Sequence, residues 1–313
     1  MTKTAFVFPG QGSQSVGMLV DVAEANPLVA ETFLTASEVL GYDLWDLVQG
    51  GPEDKLNQTE FTQPALLTAS ISLWRLAVLK GVSQPDVVAG HSLGEYSALV
   101  AAGVLSLEDA VGLVQQRGQF MQTAVPLGEG GMAAILGLSD VQVERICADV
   151  SSSGAIVQAA NFNAPGQVVI AGQNAALNAA IEACKDAGAK RAMPLAVSAP
   201  FHSALMKPAA EQMAEALSAV DFKTPRIAII QNAHADYESD PGMIRNNLVK
   251  QMYSAVLWTG TVQRMAKDGV SRLVECGPGR VLVGLNRRID KAMDTLSLSD
   301  AASLETGLAE LST

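Results

Sequence analysis

The fold is decided by residues 86–102, which read DVVAGHSLGEYSALVAA. Residues 87–89 form a short apolar run typical of a buried strand, and residues 95–102 have the pattern of a helix. Between them, residues 90–94 match G-x-S-x-G, the pattern of a serine on a sharp turn from strand to helix. The strand before and the helix after favour this interpretation over an ordinary glycine-rich turn. We therefore predict that Ser92 projects above a sheet and faces a helix N-terminus.

Strand and helix patterns alternate on both sides of this turn. Such alternation predicts a parallel sheet whose two faces are covered by helices. Further strands are expected at residues 5–8, 226–231 and 271–275. Helices are expected at residues 28–40, 64–80 and 107–124. In the second of these helices Pro64 falls in the first turn, where its missing amide N–H costs little.

The middle of the chain has a different order of elements. Strand patterns occupy residues 132–138, 155–160, 167–171 and 189–197, and helix patterns occupy residues 141–150 and 175–187. Their order, β-α-β-β-α-β, is that of a ferredoxin-like fold. We therefore predict an α/β protein with a large parallel-sheet domain, residues 1–127 and 198–313. A small ferredoxin-like domain, residues 128–197, is inserted into it.

The composition limits the class of protein. The chain has 313 residues, of which 49% are hydrophobic and 17% charged, so a disordered chain is excluded. It has 21 Lys and Arg against 32 Asp and Glu, a net charge of −11, which argues against binding a nucleic-acid backbone. Its apolar runs are too short for a signal peptide or for the roughly 18 residues of a membrane span. We expect a cytoplasmic monomer in which Cys147, Cys184 and Cys276 are buried thiols.

A serine nucleophile needs a base, and the chain has three histidines. His91 adjoins Ser92, so the strained backbone should point its side chain elsewhere, and we interpret it as a packing or supporting residue. His234 lies in a polar, acidic stretch and is interpreted as part of a solvated loop. His202 lies between a strand and a helix, on a partly apolar edge suited to fixing an imidazole. We therefore predict that His202 accepts the Ser92 proton and returns one to the leaving group.

The groups that assist this pair are less well defined by the residues. No Asp or Glu lies between residues 189 and 205, and either a carboxylate elsewhere or a carbonyl oxygen could orient His202. An oxyanion hole needs two N–H groups, and the sharp turn supplies that of Leu93. The second is expected from the glycine-rich loop at residues 10–14. This loop lacks the last glycine of G-x-G-x-x-G and the lysine of a P-loop, so we favour an oxyanion donor over a phosphate loop.

Arg117 falls on the apolar stripe of the helix predicted at residues 107–124. A guanidinium cannot shed its proton there and is costly to bury without a partner. One interpretation is a structural ion pair, or a side chain that reaches the surface. The other is a bidentate clamp for a substrate carboxylate. The clamp would also explain selectivity, because a neutral acyl chain would leave the charge unpaired.

Seven short motifs occur in one order along the chain. They are GQGSQ (10–14), QPA (63–65), GHSLGE (90–95), QRG (116–118), NFNAPGQ (161–167), PFHS (200–203) and GPG (277–279). No single motif is decisive, but the ordered set is highly specific. Across essentially its whole length the chain resembles the bacterial malonyl-CoA:acyl-carrier-protein transacylases.

This resemblance implies an α/β-hydrolase-like large domain that carries the ferredoxin-like insert. It also implies a ping-pong reaction for fatty acid synthesis, in which a serine takes malonyl from malonyl-CoA and the phosphopantetheine thiol of acyl carrier protein collects it. Carried over motif by motif, Ser92 is the nucleophile and His202 the base. The backbone amides of Gln11 and Leu93 form the oxyanion hole, and Arg117 holds the malonyl carboxylate.

Further residues take their roles from the resemblance alone. The segment ending in Gln251 resembles the family segment whose glutamine main-chain carbonyl orients the histidine, which implies that role for Gln251. Leu93 and Phe201 resemble malonyl-selective rather than methylmalonyl-selective members. No metal and no resident cofactor are implied, since phosphopantetheine arrives on the carrier protein. Ala199 and residues 252–254 differ from the residues most common in the family at these positions, which puts the rate of the reaction and the affinity for carrier protein in question.

Two other functions stay open on the residues alone. A serine hydrolase such as a thioesterase would use the same turn, but it would have no need of Arg117 on an apolar face. A catalytically silent scaffold that only docks carrier protein would form no malonyl adduct on Ser92. Docking itself poses an electrostatic question, because the family's carrier proteins are acidic and this chain carries −11. Candidate basic patches, with a solvated helix face as the alternative, are Lys190-Arg191 and Arg280 with Arg287, Arg288 and Lys291.

Overall fold

The computed structural model describes residues 2–152, 154–197 and 199–311. The strands of the described residues are β1 (Lys3–Phe8), β2 (Val87–Gly90), β3 (Gly130–Leu136), β4 (Val157–Ala164), β5 (Gln167–Gln173), β6 (Arg191–Pro194), β7 (Ala228–Gln231), β8 (Asp236–Glu238), β9 (Val270–Cys276) and β10 (Asp294–Leu298). The α-helices are α1 (Val20–Ala25), α2 (Pro27–Leu40), α3 (Leu44–Gly50), α4 (Glu53–Leu56), α5 (Thr59–Leu79), α6 (Gly94–Ala101), α7 (Leu107–Thr123), α8 (Asp140–Val150), α9 (Asn174–Asp186), α10 (Lys207–Ser218), α11 (Pro241–Tyr253), α12 (Trp258–Lys267), α13 (Val281–Ile289) and α14 (Ala301–Leu311).

Six strands form the larger sheet, in the order β10-β9-β1-β2-β7-β8. Its neighbouring strands are parallel except for the pair β7 and β8. The register pairs Phe8 with Gly90, so β1 and β2 end level. Loops that follow parallel strands meet at the carboxyl edge of a sheet. The turn after β2 therefore lies beside the glycine-rich loop after β1.

Both faces of this sheet are buried. Phe6 of β1 belongs to one apolar cluster together with Leu66 of α5. Its neighbour Val7 points to the opposite face and belongs to a second cluster with Val262 of α12. Consecutive side chains of a strand alternate between the faces, so each face needs its own helical layer. The predicted parallel sheet with two covered faces is confirmed.

The smaller sheet has the order β4-β5-β3-β6 and is antiparallel throughout. Helix α8 connects β3 to β4, and α9 connects β5 to β6. Val143 of α8 and Ile181 of α9 pack on Ile135 and Ile170 in a separate apolar cluster. The predicted β-α-β-β-α-β order is therefore confirmed, and with it the ferredoxin-like second unit of an α/β fold.

Several predicted elements have different bounds in the structure; the strand predicted at residues 155–160, for example, is Val157–Ala164. The helix expected to open at Pro64 begins at Thr59, so the placement of Pro64 in its first turn is wrong. The first turn of α5, which contains Glu60, packs closely against α7. A Cβ at Gly118 of α7 would lie only 2.6 Å from the Glu60 Cα. The strand expected at residues 189–197 is shorter, Arg191–Pro194, since its last residues leave the pairing with β3.

The predicted domain boundaries at 127/128 and 197/198 stay a prediction. Ser198, on one of them, lies outside the described residues. The cysteines at 147, 184 and 276 are buried free thiols, as expected. Within residues 2–152, 154–197 and 199–311, every helix is too short or too polar to cross a bilayer.

Candidate active site

The turn between β2 and α6 holds Ser92 in a strained conformation. Its φ is 52°, in the left-handed region that side chains other than glycine rarely adopt. A Cβ at Gly90 would lie 1.9 Å from the Gly94 carbonyl, and one at Gly94 would lie 2.1 Å from the Phe8 carbonyl oxygen. Only glycine fits at either position. The G-x-S-x-G match therefore forms the sharp turn that the sequence predicts.

Ser92 and His202 meet although 110 positions separate them. The distance between Ser92 Oγ and His202 Nε2 is 2.7 Å. On the other side of the ring, His202 Nδ1 lies 2.8 Å from the main-chain carbonyl oxygen of Gln251. A carbonyl only accepts, so Nδ1 carries the proton and the Nε2 lone pair faces the hydroxyl. That tautomer makes His202 a base toward Ser92.

The imidazole of His202 is kept neutral. Burial, together with the positive charge of Arg117, lowers its pKa to about 3, although the Gln251 carbonyl acts in the opposite direction. His202 is 4% exposed. Its backbone φ is 60°, so it lies, like Ser92, on a strained turn. The nitrogen that faces Ser92 is thus free to accept a proton near neutral pH.

Arg117 of α7 is 1% exposed and points at the same hydroxyl. Its Nη2 donates to Ser92 Oγ at 3.2 Å and to Gln251 Oε1 at 2.8 Å, and its Nη1 donates to Gln63 Oε1 at 2.9 Å. Its guanidinium lies 5.7 Å from the centre of the Tyr96 ring. Among the described residues no carboxylate is within ion-pair distance of Arg117, and its Nε has no partner. This excludes both a direct structural ion pair in that range and a side chain that reaches the surface.

The side chain of Gln251, on α11, connects these groups. Its Nε2 donates to the Ser92 carbonyl oxygen at 3.0 Å and to Glu95 Oε2 at 3.1 Å. Its main-chain carbonyl is the oxygen that faces His202. One buried residue therefore touches the base, the nucleophile and, through Oε1, Arg117.

Gln11 and Leu93 both line the cleft beside Ser92. The described part of the chain contains no acceptor for the main-chain N–H of either residue. Gly10, which precedes Gln11, must be glycine because a Cβ there would lie 2.5 Å from the His91 carbonyl oxygen. The two loops are thus in close contact, and each carries an N–H group without a hydrogen-bond acceptor among the described residues. Such a pair is what an oxyanion hole requires.

The cleft has a volume of about 220 Å³ and lies between the two sheets. Ser92 and His202 line it on the side of the larger sheet, and Met132 of β3 and Val169 of β5 line it from the smaller one. Phe201, next to the histidine, is also part of the lining. Most of the surface of the lining is apolar, and the polar side chains of Ser92, His202 and Arg117 converge within it, as in sites for small substrates.

Neither of the other two histidines is hydrogen-bonded to Ser92 Oγ among the described residues, although His91 also lines the cleft. His91 Nε2 lies 2.8 Å from Asn163 Oδ1, and its ring lies 5.7 Å from that of Trp258, in agreement with a packing or supporting role. Burial lowers the pKa of His91. His234 is exposed in the turn between β7 and β8, as the solvated-loop interpretation predicts.

Two buried residues of the site were not identified from the sequence. Asn232 accepts from the Ser92 amide at 2.7 Å and donates to the Gly90 carbonyl at 2.6 Å, so it holds the turn from outside. Glu95 accepts from the main-chain N–H of Asn232 at 2.9 Å. Each had a signal: Asn232 directly follows a buried strand at the carboxyl edge, and Glu95 is an acid within an apolar helix.

Comparisons with known proteins agree with this geometry. The family model described as "Acyl transferase domain" matches residues 5–302. The malonyl CoA-acyl carrier protein transacylase of Salmonella typhimurium is 53% identical over 310 residues, covering 99% of this chain and 100% of that protein. The crystal structure of an acyl carrier protein S-malonyltransferase from Vibrio cholerae is 54% identical, with a TM-score of 0.96, covering 98% of this chain and all of that one.

A further solved structure contains a partner. It is described as a type II PKS acyl-carrier protein in complex with its malonyl-transacylase, and it is 52% identical to this chain. The TM-score is 0.97, with 99% of this chain and 100% of that chain covered. The whole fold, including the second sheet, is therefore shared with proteins of that description.

Proposed function

The chain belongs to the acyl transferase family, among the malonyl CoA-acyl carrier protein transacylases, and from that premise we propose how its residues move a malonyl group from malonyl-CoA to acyl carrier protein. It is an acyltransferase that serves fatty acid synthesis. The observation that carries the assignment of residues is the convergence of two side chains on the hydroxyl oxygen of Ser92. Ser92 Oγ lies 2.7 Å from His202 Nε2 and 3.2 Å from Arg117 Nη2.

In the first half-reaction Ser92 Oγ attacks the thioester carbonyl of malonyl-CoA while its proton passes to His202 Nε2. The carbonyl oxygen becomes an oxyanion, which the N–H groups of Gln11 and Leu93 stabilise. The C–S bond then breaks, and the thiolate of coenzyme A takes the proton from His202. The product is a malonyl ester on Ser92.

In the second half-reaction the phosphopantetheine thiol of the carrier takes the place of coenzyme A. Its proton passes to His202, its sulfur attacks the ester carbonyl, and the same two N–H groups receive the oxyanion. The C–O bond breaks and Ser92 recovers its proton from His202. The Gln251 carbonyl, 2.8 Å from Nδ1, keeps the ring oriented through both halves. These steps use only groups of the chain and its substrates; that no metal or resident cofactor is needed stays a prediction.

Arg117 gives this site its preference for a diacid. A buried guanidinium with an unpartnered Nε has donors left for the free carboxylate of malonyl. An acetyl group would leave that cation without a counter-charge. A thioesterase that acts on neutral acyl chains gains nothing from a buried cation, so the acyl transfer assignment is better supported than the hydrolase alternative.

Carrier protein is proposed to dock at a basic groove next to the cleft. Lys190, Arg191 and Arg288 line one groove of about 520 Å³, with Arg288 on α13 and the other two at the start of β6. Arg288 Nη1 also donates to Gln167 Oε1, and Gln167 lines the cleft itself. The groove therefore offers three cations to an acidic partner beside the opening, against a chain charge of −11. Arg280 lines a different groove, with Asp300 and Glu310.

The decisive experiment is mass spectrometry of the chain, both intact and after proteolysis, following incubation with malonyl-CoA. We expect an added mass of one malonyl group on a Ser92 peptide, lost when carrier protein is added. Ser92→Ala, with the same fold, is expected to remain unmodified. A wild-type chain without the adduct would support a silent scaffold, and rapid loss of the adduct in buffer alone would support a hydrolase.

The same assay tests the diacid clamp with Arg117→Ala. Hydrogen bonds to charged groups contribute about 1.5–3 kcal/mol, so malonylation should slow by roughly 10- to 150-fold. Acetylation from acetyl-CoA should be retained or should increase. Arg75→Ala is the matched control, since Arg75 is bonded to Thr32 on the outside of α5, away from the cleft. An acyl preference unchanged by Arg117→Ala would contradict the clamp.

A further inference from the structure

Glu95 is a fully buried carboxyl group for which the proposed reaction has no step. It lies on α6, three residues after the nucleophile, with 0% exposure. Its oxygens receive three N–H groups and no others among the described residues: Gln231 Nε2 at 2.9 Å, the Asn232 main chain at 2.9 Å and Gln251 Nε2 at 3.1 Å. Oε2 accepts two of these bonds and Oε1 accepts the third, and the described residues place only donors, and no acceptor for a carboxyl hydrogen, against these oxygens. This environment favours the ionised form.

The charge of Glu95 has one nearby counterpart. Gln251 receives Arg117 Nη2 on its Oε1 and donates from its Nε2 to Glu95, so a single amide lies between cation and anion. The two charges are thus one side chain apart in a buried environment. Arg117 has no ion pair of its own in the part of the chain described by the structure.

We propose that Glu95 is the resident counter-ion of Arg117: through the Gln251 amide it keeps the empty acyl site electrically neutral, and it opposes the entry of the substrate carboxylate. This inference rests on the proposed function of Arg117 as the malonyl clamp. Glu95 acts through other residues and is a specificity-determining positioning residue rather than a catalytic one.

The role has a physical purpose. Without an anion nearby, a buried guanidinium would bind any small carboxylate and release a malonyl group slowly. A ping-pong enzyme must pass malonyl on, so binding that is equally strong before and after transfer gains nothing. A fixed counter-charge at a short distance weakens the hold on the carboxylate while the hydrogen bonds preserve its orientation. Burial raises the pKa of Glu95 to about 7, in accord with a charge held there at some cost.

The test compares malonyl-CoA and acetyl-CoA binding by calorimetry in a Ser92→Ala background, where no transfer occurs. At pH 8.5 the carboxyl is ionised, since its pKa is about 7. Adding Glu95→Gln removes the charge at nearly constant shape. The affinity for malonyl-CoA should rise about tenfold, because the substrate carboxylate no longer faces a negative charge about one side chain away. Acetyl-CoA, which has no free carboxylate, should bind as before. A residue needed only for packing would instead weaken both ligands.

A second variant covers the case in which Glu95→Gln does not fold. Glu95→Asp keeps the charge but withdraws it from the Gln251 amide by one methylene. It should strengthen malonyl-CoA binding less than Glu95→Gln would and leave acetyl-CoA binding unchanged. Glu108→Gln is the matched control, because it removes the same charge from an exposed position in the first turn of α7, so the ratio of the two affinities should not change.

The outcomes separate this inference from the function beneath it. If the wild-type chain forms no malonyl adduct, the proposed function fails. If wild type is active but Glu95→Gln leaves malonyl-CoA affinity unchanged, or weakens it, the counter-ion role is overturned.

Discussion

At the scale of single residues, the site keeps a histidine neutral by burying it beside a cation. His202 would titrate near pH 6.5 in an unfolded chain. In the folded chain its pKa is about 3, because burial and Arg117 disfavour the imidazolium. In the proposed mechanism, a base with this environment starts each half-reaction unprotonated. It becomes charged only while it holds the proton of Ser92 or of the carrier thiol.

This shift predicts a pH-dependent stability. The folded state disfavours protonation, so the stabilising contribution of neutral His202 is complete above about pH 6.5 and is lost as the pH falls toward about 3. Because His202 of the unfolded chain is half protonated at pH 6.5, the stability lost between pH 6.5 and 5 is about 1.7 kcal/mol. We therefore expect the free energy of unfolding, measured in urea, to fall over this pH interval by about that much more in the wild type than in His202→Asn. Asparagine tolerates the positive φ and does not titrate.

The comparison with His202→Asn isolates one group. Glu95 and Glu275, whose pKa values burial raises to about 7, are present in both proteins, and their opposite effect cancels in the difference. Equal losses in wild type and variant would show that His202 does not carry the depressed pKa.

Residue patterns predicted part of this site and not the rest. Ser92 and His202 follow from local turns that only certain residues permit, and Arg117 follows from a charge on an apolar stripe. Gln251 required the family resemblance, because the group it offers His202 is a main-chain carbonyl, which every residue has. Asn232 was passed over because its role arises from two strands that pair in space and not in sequence.

At the scale of elements, α13 links the larger sheet to the groove proposed for carrier docking. Glu275, at the end of β9, accepts from the Leu282 and Val283 amides at 3.0 and 2.8 Å, so a buried carboxylate caps the helix. Arg287 and Arg288 follow in its last turn, where cations also favour the helix dipole. The two arginines are consecutive and exposed, but only Arg288 lines the groove with Lys190 and Arg191.

That difference predicts unequal effects of the same charge reversal. Arg288→Glu should raise the KM for carrier protein by about five- to tenfold, equivalent to about 1–1.4 kcal/mol, and leave the KM for malonyl-CoA nearly unchanged. Arg287→Glu, one position away, is the matched control and should have a smaller effect on the carrier. Steady-state kinetics with each substrate varied in turn measures both. Equal effects of both variants, or equal effects on both substrates, would contradict docking at this groove.

At the scale of the whole molecule, the cleft exists only while the two sheets keep their relative position. Strand β4 of the smaller sheet is bonded to the segment before α12: Phe162 N–H donates to the Val256 carbonyl and Val256 N–H donates to the Ala160 carbonyl, each at 2.9 Å. Thr259 Oγ1 adds a bond to the Phe162 carbonyl at 3.1 Å. The smaller sheet is thus continued by main-chain bonds into the larger unit, and residues 161–163 are carried to the edge of the cleft.

This connection predicts that the two sheets unfold together. Trp45, Trp74 and Trp258 all lie outside the residues of the smaller sheet, so tryptophan fluorescence reports the larger unit, whereas far-UV circular dichroism reports both. In urea the two signals should give the same midpoint for wild type, as expected for one cooperative transition. Val256→Pro removes the N–H that Ala160 accepts and should separate the midpoints, with the dichroism changing first. Separate midpoints already in wild type would mean that the cleft is built from two independently stable halves.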